Sequence, residues 1–264
     1  GECFADDGLG AGIEPDEVGA QQDGKQRGHD TKHQQDFPWR QQRRAQRQHE
    51  HAHPNPAGEQ DGVRKDHFYT ALTISIQAFQ AFIHRFQVLA LQQAEISKNP
   101  ERKAELITIS NNCKVIAEKA PGNFYQALQL VYFVQLILQI ESNGHSVSLG
   151  RMDQYLYPFY KNDILAGNLT DEFASELLES TWIKLLSVNK IRPWSHTRFS
   201  AGGPLYQNVT IGGQTIEGLD AVNELSFLIL HSVGKMKLTQ PNLSVRFHKN
   251  ISETFMNECI RVTE

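Results

Sequence analysis

The stretch Glu141-Ser-Asn-Gly-His-Ser-Val-Ser-Leu-Gly-Arg-Met-Asp-Gln-Tyr-Leu-Tyr-Pro-Phe-Tyr160 gathers side chains able to do chemistry. His145 offers an imidazole suited to proton transfer near neutral pH. Ser146 and Ser148 add hydroxyls, and Arg151 and Asp153 add opposite charges expected to form a structural pair rather than a catalytic one. Gly144 and Gly150 free the backbone for turns closed to other residues. Tyr155, Tyr157, Phe159 and Tyr160 close the stretch with aromatic surface. Loops carry chemistry more often than scaffolds, and this one follows the most apolar segment of the chain.

The elements that position this loop can be read in order. Phe68, Leu72, Ile76, Phe79, Phe82, Ile83, Phe86, Leu89 and Ala90 recur at three- and four-residue steps, which predicts an amphipathic helix to about residue 97. Asn99-Pro100 breaks it. A second helix over 101–118 places Leu106, Ile109, Cys113 and Ile116 on one face, with Cys113 a small core residue. Pro121 suits the first turn of a third helix, apolar nearly all round, reaching about residue 140. After the loop, Thr170 caps a helix whose buried face is Phe173, Leu177, Leu178, Thr181, Leu185 and Val188. Residues 205–213 read as a strand, Asp220 as the cap of a helix over 221–233, residues 241–248 as a second strand, and Ser252 as the start of a last helix. Strand, helix, strand, helix with short links predicts an α/β fold, a helical front half followed by parallel βαβ units. Arg246 and His248 alternate with apolar residues, and packing is their expected role.

Composition narrows the function classes. Charged residues are 21% and the net charge is −4, which gives no electrostatic footprint for nucleic acid or an anionic membrane. Cys3, Cys113 and Cys259 are widely spaced and form no disulfide framework, as expected in a reducing cytosol. No apolar run reaches the roughly 18 residues a membrane span needs, and the start lacks a secretory signal pattern. A soluble cytosolic protein is the expectation.

Residues 1–65 differ from the remainder. They are poor in large apolar side chains and rich in Gln, His, Arg and Gly, so they cannot offset their ordering entropy and read as disordered. His49, His51 and His53 could hold a metal loosely, but no Cys or Asp completes a spaced set, and no metal site is expected. The basic run from Arg40 to Arg47 has only Trp39 as a stacking aromatic, too little for an RNA-binding arm. The abrupt change near Asp66 is also what a misjoined or wrongly framed start produces. The expected division is a foreign segment over 1–65 and a partial domain over 66–264.

Several long motifs fall in order: Pro121-Gly-Asn-Phe-Tyr-Gln-Ala-Leu-Gln129, Asn143-Gly-His-Ser-Val-Ser-Leu-Gly-Arg-Met-Asp153, Ile211-Gly-Gly213, Gly218-Leu-Asp-Ala-Val-Asn-Glu-Leu-Ser226 and the strand at 241–248. Together they resemble the pyruvate formate-lyase domain of the glycyl radical enzymes, nearest the glycerol and diol dehydratases and formate acetyltransferases. The resemblance covers roughly residues 64–264. It implies part of a ten-stranded barrel of two parallel half-sheets wrapped in helices, acting on a small-molecule substrate, with a homodimer as an expected assembly. It also implies a glycyl radical, installed by an iron–sulfur, S-adenosylmethionine-dependent activating enzyme, that passes its spin to a cysteine.

The sequence departs from that pattern at the radical residues. Neither a Gly-Cys-x-Glu loop nor an Arg-Val-x-Gly-Tyr motif is present, and Glu264 stands where Arg261-Val262-Thr263 would need glycine to follow. No catalytic residue, and no cofactor bound by this chain, is therefore expected. The resemblance leaves part of a substrate pocket: His145 and Ser146 match positions that hydrogen-bond substrate in dehydratase-like members, and Tyr206 is a candidate for the pocket wall. The expected function is a fragment of a radical lyase or dehydratase, inactive alone; the alternative is a non-catalytic module that associates with a full-length homologue.

Overall fold

The computed structural model describes residues 56–142, 146–190, 193–199 and 205–263. Contacts divide the chain between Ile74 and Ser75. The first helix, α1 (Pro56–Ile96), starts earlier than the apolar periodicity, inside the stretch read above as disordered. In its front part, Phe68, Leu72 and Tyr69 are exposed, although Phe68 and Leu72 fall on the expected buried stripe. Beyond Ser75 the stripe is used in part: Ile76 and Leu89 are exposed, and the rest turns inward. Phe82, Ile83, Phe86 and Ala90 of α1 pack with Ile109, Cys113 and Ile116 of α2 (Pro100–Glu118) and with Phe133 of α3 (Phe124–Ser142). The Phe86 and Phe133 rings meet edge to face at 5.2 Å.

Local chemistry accounts for the helix ends. The Asn99 side chain accepts from the N–H groups of Glu101 (2.9 Å) and Arg102 (3.2 Å), with Pro100 in the first turn of α2. Cys113 is fully buried beside Gln129, whose amide donates to Sγ, and burial pushes the thiol pKa up to about 12. That is the core residue expected.

Helix α3 departs from expectation. Gln129, Gln135 and Gln139 are buried, while Val134, Leu138 and Ile140 are exposed. Pro121 lies before the helix, and Asn123 caps it by accepting from the Gln126 N–H at 2.9 Å.

After the loop come β1 (Gly150–Arg151), α4 (Met152–Tyr155) and α5 (Tyr157–Leu165). Then follow α6 (Asp171–Ser187), α7 (Trp194–Phe199), β2 (Asn208–Gly212), α8 (Glu224–Met236), β3 (Asn242–Arg246) and α9 (Glu253–Thr263). Among the described residues the strands form one parallel sheet in the order β1-β2-β3, with Val209 opposite Gly150 and Leu243. The fold is mostly helical with a small parallel sheet, and β2–α8–β3 is the βαβ unit expected; β1 had no sequence signal. Val209 and Ile211 of β2 sit at the centre of a core with Trp182, Leu178, Leu225, Ile229 and Phe255, all fully buried. The indole N–H of Trp182 donates to Ser232 Oγ at 2.8 Å, so its one polar group is satisfied there.

Thr170 caps α6 as expected, accepting from Phe173 N–H. Helix α8 is capped by Asn223, not Asp220: Asn223 and Ser226 form a reciprocal capping box. Asp220 has a different task. Its carboxylate accepts from the N–H groups of Val222 (3.1 Å) and Ser252 (2.9 Å) and contacts His248 Nε2 at 3.2 Å, tying the end of β3 and the start of α9 to the loop after β2. His248 thus has a polar partner as well as packing.

Burial pushes the Asp220 carboxyl up, but those hydrogen bonds and the His248 charge outweigh it and hold its pKa below the ordinary value. The stability this confers is complete above the ordinary carboxylate pKa and is lost as pH falls through the folded value. Asp220→Asn is expected to lower stability at pH 7 by about 1 kcal/mol, with the gap to the parent closing as pH falls below the ordinary carboxylate range and the parent's carboxyl takes up its proton. Urea unfolding across pH checks this, and a gap that stays constant into acid would contradict it.

Candidate functional site

The amino ends of β1 and β2 bring two of the three candidate residues to one place. Ser146 donates its N–H to the Leu205 carbonyl at 2.8 Å, and Leu149 donates to Asn208 at 2.9 Å, so the lead-ins to both strands run side by side. Ser146 has φ 59° and Tyr206 has φ 52°, the left-handed region that side chains other than glycine, Asn and Asp seldom adopt. Both are exposed, Tyr206 at 41%. The two segments that carry these strained, exposed residues, joined by the hydrogen bond from Ser146 N–H to the Leu205 carbonyl, form one exposed wall of backbone, and strain of this kind persists only where the surroundings enforce it. His145 lies outside the described residues, as do His49, His51 and His53.

What enforces the conformation is a buried layer of amides directly behind the wall. The Gln135 side chain, 3% exposed, donates to the Val147 carbonyl at 2.9 Å and to Gln207 Oε1 at 3.0 Å. Gln207, fully buried, donates its own side-chain N–H to the Leu185 carbonyl at 2.8 Å, and its backbone carbonyl accepts from Asn242 N–H at 2.8 Å. Val147 follows Ser146 and Gln207 follows Tyr206, so one side-chain pair holds the residue next to each wall position. Sequence reading missed these glutamines. The one signal for Gln135 was polarity in a helix otherwise rich in apolar residues, and Gln207, in the lead-in to β2, had none.

Arg151 and Asp153 do not form the pair expected of them: neither hydrogen-bonds to the other, and each takes partners elsewhere. Asp153 is fully buried; its Oδ2 accepts from Gly212 N–H and from Ser226 Oγ, both at 2.7 Å. Arg151 instead donates to the Gln214 carbonyl at 3.0 Å. Burial raises the Asp153 pKa, opposed by the Ser226 and Gly212 hydrogen bonds and by the Arg151 charge. The aromatic run also braces the fold: Tyr155 donates to the Leu149 carbonyl at 3.1 Å, Tyr157 to Glu224 at 2.5 Å and Tyr160 to Asp171 at 2.6 Å. Among the described residues no group of three or more His, Cys, Asp and Glu could hold a metal ion. Among them also, no helix is long and apolar enough to cross a membrane.

A family model described as Pyruvate formate lyase-like matches residues 41–264, and the chain belongs to that family, the glycyl radical enzymes. The match reaches back further than the motifs quoted above. The chain is 53% identical over 206 residues to Probable dehydratase YbiW of Escherichia coli (strain K12), covering 76% of this chain and 25% of that protein. The solved B12-independent glycerol dehydratase from Clostridium butyricum, in its glycerol-bound form, superposes with a TM-score of 0.75 at 37% identity, over 83% of this chain and 27% of that one. A glycyl radical enzyme from Archaeoglobus fulgidus gives 0.72 at 36% identity, over 79% of this chain and 27% of that one. The chain thus spans about a quarter of the length of the relatives it matches.

The amide layer predicts a measurable cost. Gln135→Leu removes both hydrogen bonds and leaves the Val147 carbonyl and Gln207 Oε1 buried without that partner, so stability is expected to fall by roughly 1–3 kcal/mol. Making Gln135→Leu and Gln207→Leu together is expected to cost less than the sum of the two single changes. A double-mutant cycle by chemical denaturation checks this, and simple additivity would count against coupling.

Proposed function

We propose that this chain forms one wall of the substrate pocket of a glycyl radical dehydratase or lyase, with the radical-bearing residues supplied from outside it. The observation that carries the reading is the pairing of Ser146 and Tyr206 in left-handed backbone, exposed and held from behind by the Gln135–Gln207 layer. His145, adjacent to Ser146, is the proton donor in this reading, because expelling hydroxide from a radical needs an acid close by. The substrate is a small molecule with a hydroxyl for Ser146 and His145 to engage. The three strands are part of the family's ten-stranded barrel. The glycyl radical comes from an iron–sulfur, S-adenosylmethionine-dependent activating enzyme acting on residues this sequence does not contain, in a cytosolic and anaerobic setting, with a homodimer as the assembly.

Two measurements test this. The isolated chain, incubated anaerobically with a cognate activating enzyme, is expected to give no glycyl doublet by electron paramagnetic resonance; a doublet arising from this chain would overturn the inactive reading. For the pocket, residues 66–264 can replace the matching quarter of a glycerol dehydratase. In that chimera His145→Ala is expected to lower kcat/KM by about 10²-fold, and unchanged turnover would remove His145 from the pocket.

A second reading has its own support. β3 pairs with β2 alone among the described strands, and beside it Leu230, Val233, Leu243, Val245, Phe247 and Ile260 line an apolar groove of about 670 Å³. Such an edge invites strand addition, which suits a non-catalytic module that associates with a full-length homologue. Co-elution of the two that is lost on Phe247→Asp would support it. Separate elution, or co-elution indifferent to that change, would dismiss it.

A further inference from the structure

The sheet has a polar side that the core does not use. From Leu205 to Ile211 burial alternates without a break: Leu205, Gln207, Val209 and Ile211 are buried, Tyr206 is exposed, and Asn208 and Thr210 are half-buried. β3 follows the same rule, with Asn242, Ser244 and Arg246 exposed. All three strands run parallel. Such sheets are covered on both faces in almost every fold, and their strands then read as apolar throughout. A polar face on a parallel sheet serves something other than packing.

The side chains on that face are ordered among themselves. Ser244 donates its hydroxyl to Asn208 Oδ1 at 2.9 Å, and Asn208 Nδ2 donates to Thr210 Oγ1 at 3.3 Å, so Asn208 stands at the centre of a row that crosses from β3 to β2. An amide carries two N–H donors and an oxygen with two lone pairs. Asn208 engages one of each within the row, which leaves one N–H and one lone pair without a partner among the described residues. Its backbone is placed just as firmly, because its carbonyl accepts from Leu149 N–H at 2.9 Å, on the segment that follows Ser146. Tyr206 lies two residues back on the same open side, about 6–7 Å along the strand, within the reach of one small molecule. A hydroxyl group, itself both donor and acceptor, answers both open positions of the amide. A carboxylate uses the N–H alone, and a methyl group leaves both unfilled.

We infer that Asn208 is a specificity-determining residue of the pocket: it binds a hydroxyl of the substrate remote from the one that Ser146 and His145 engage. Ser244 is its positioning residue, fixing the plane of the amide from the neighbouring strand. The inference rests on the reading of this chain as one wall of a substrate pocket, and it extends that wall from Tyr206 along the open face of β2.

The test uses the glycerol dehydratase chimera that carries residues 66–264, with two substrates: glycerol, and propane-1,2-diol, which lacks one terminal hydroxyl. Asn208→Leu, close to the parent in size, is expected to raise KM for glycerol about tenfold with kcat little changed, and to leave KM for propane-1,2-diol within about twofold. Ser244→Ala is expected to raise KM for glycerol about threefold, and Ser244→Thr, which keeps the hydroxyl, to restore it. This second pair carries the test should Asn208→Leu fail to fold. Equal rises in KM for both alcohols, an unchanged KM for glycerol, or a fall in kcat alone would overturn the role of Asn208. His145→Ala in the same chimera separates the two levels. If it lowers turnover while Asn208→Leu leaves KM untouched, the role of Asn208 alone fails; full turnover in His145→Ala removes the pocket, and this inference with it.

Discussion

The pairing of Gln135 with Gln207 is the interaction on which the arrangement of this protein depends. It joins the helix that enters the loop to the strand lead-in that forms the other half of the wall, across 72 positions of sequence. Both side chains are buried, so neither can turn to water when the bond is absent. Each also satisfies a backbone carbonyl, of Val147 and of Leu185, that would otherwise be short of a partner. The pair therefore sets the positions of Ser146 and Tyr206 together. Apolar packing of the same volume would bury the helix but would not choose a register between two irregular segments.

At the other end of the sheet the fastening runs through hydrogen bonds to carboxyl groups. Asp153 holds the last residue of β2 and the first turn of α8, while Asp220 holds β3 and α9. Both carboxylates use backbone N–H groups as partners, so each secures chain positions as well as side chains. Gly212 and Gly213, both at positive φ, let the chain turn away after β2; a Cβ on Gly213 would lie 3.2 Å from that of Arg246.

Much of this was legible in the amino-acid sequence, and the failures have a common cause. Helical periodicity located α1, α2 and α6, and the cap at Thr170 was read correctly because its partner lies within a turn, whereas Asn99 was read only as a break and its capping role was missed. β2 and β3 were visible as β-branched runs between turn residues. β1, of two residues, has no periodicity to detect and exists only through its pairing with Val209 and Thr210. The cap of α8 was assigned to Asp220 because Asp is a good cap, but Asp220 is claimed by Ser252 and His248, which are distant in sequence. The same holds for α3, where apolar side chains face out and glutamines face in because the partners of Gln135 lie on other elements. Of the candidate residues, Ser146 and Tyr206 are brought side by side; what marks them is backbone conformation, which residue type does not encode.

The chemical kind of each fastening carries one more consequence. The wall is held by carboxamides and carbonyls, groups with no proton to gain or lose near neutral pH. The carboxylates that secure the far end of the sheet can change charge, but those behind Ser146 and Tyr206 are amides and cannot. The hydrogen bonds that hold the Val147 carbonyl and Gln207 therefore keep their strength as pH changes, whatever protonation does to the carboxyl groups elsewhere.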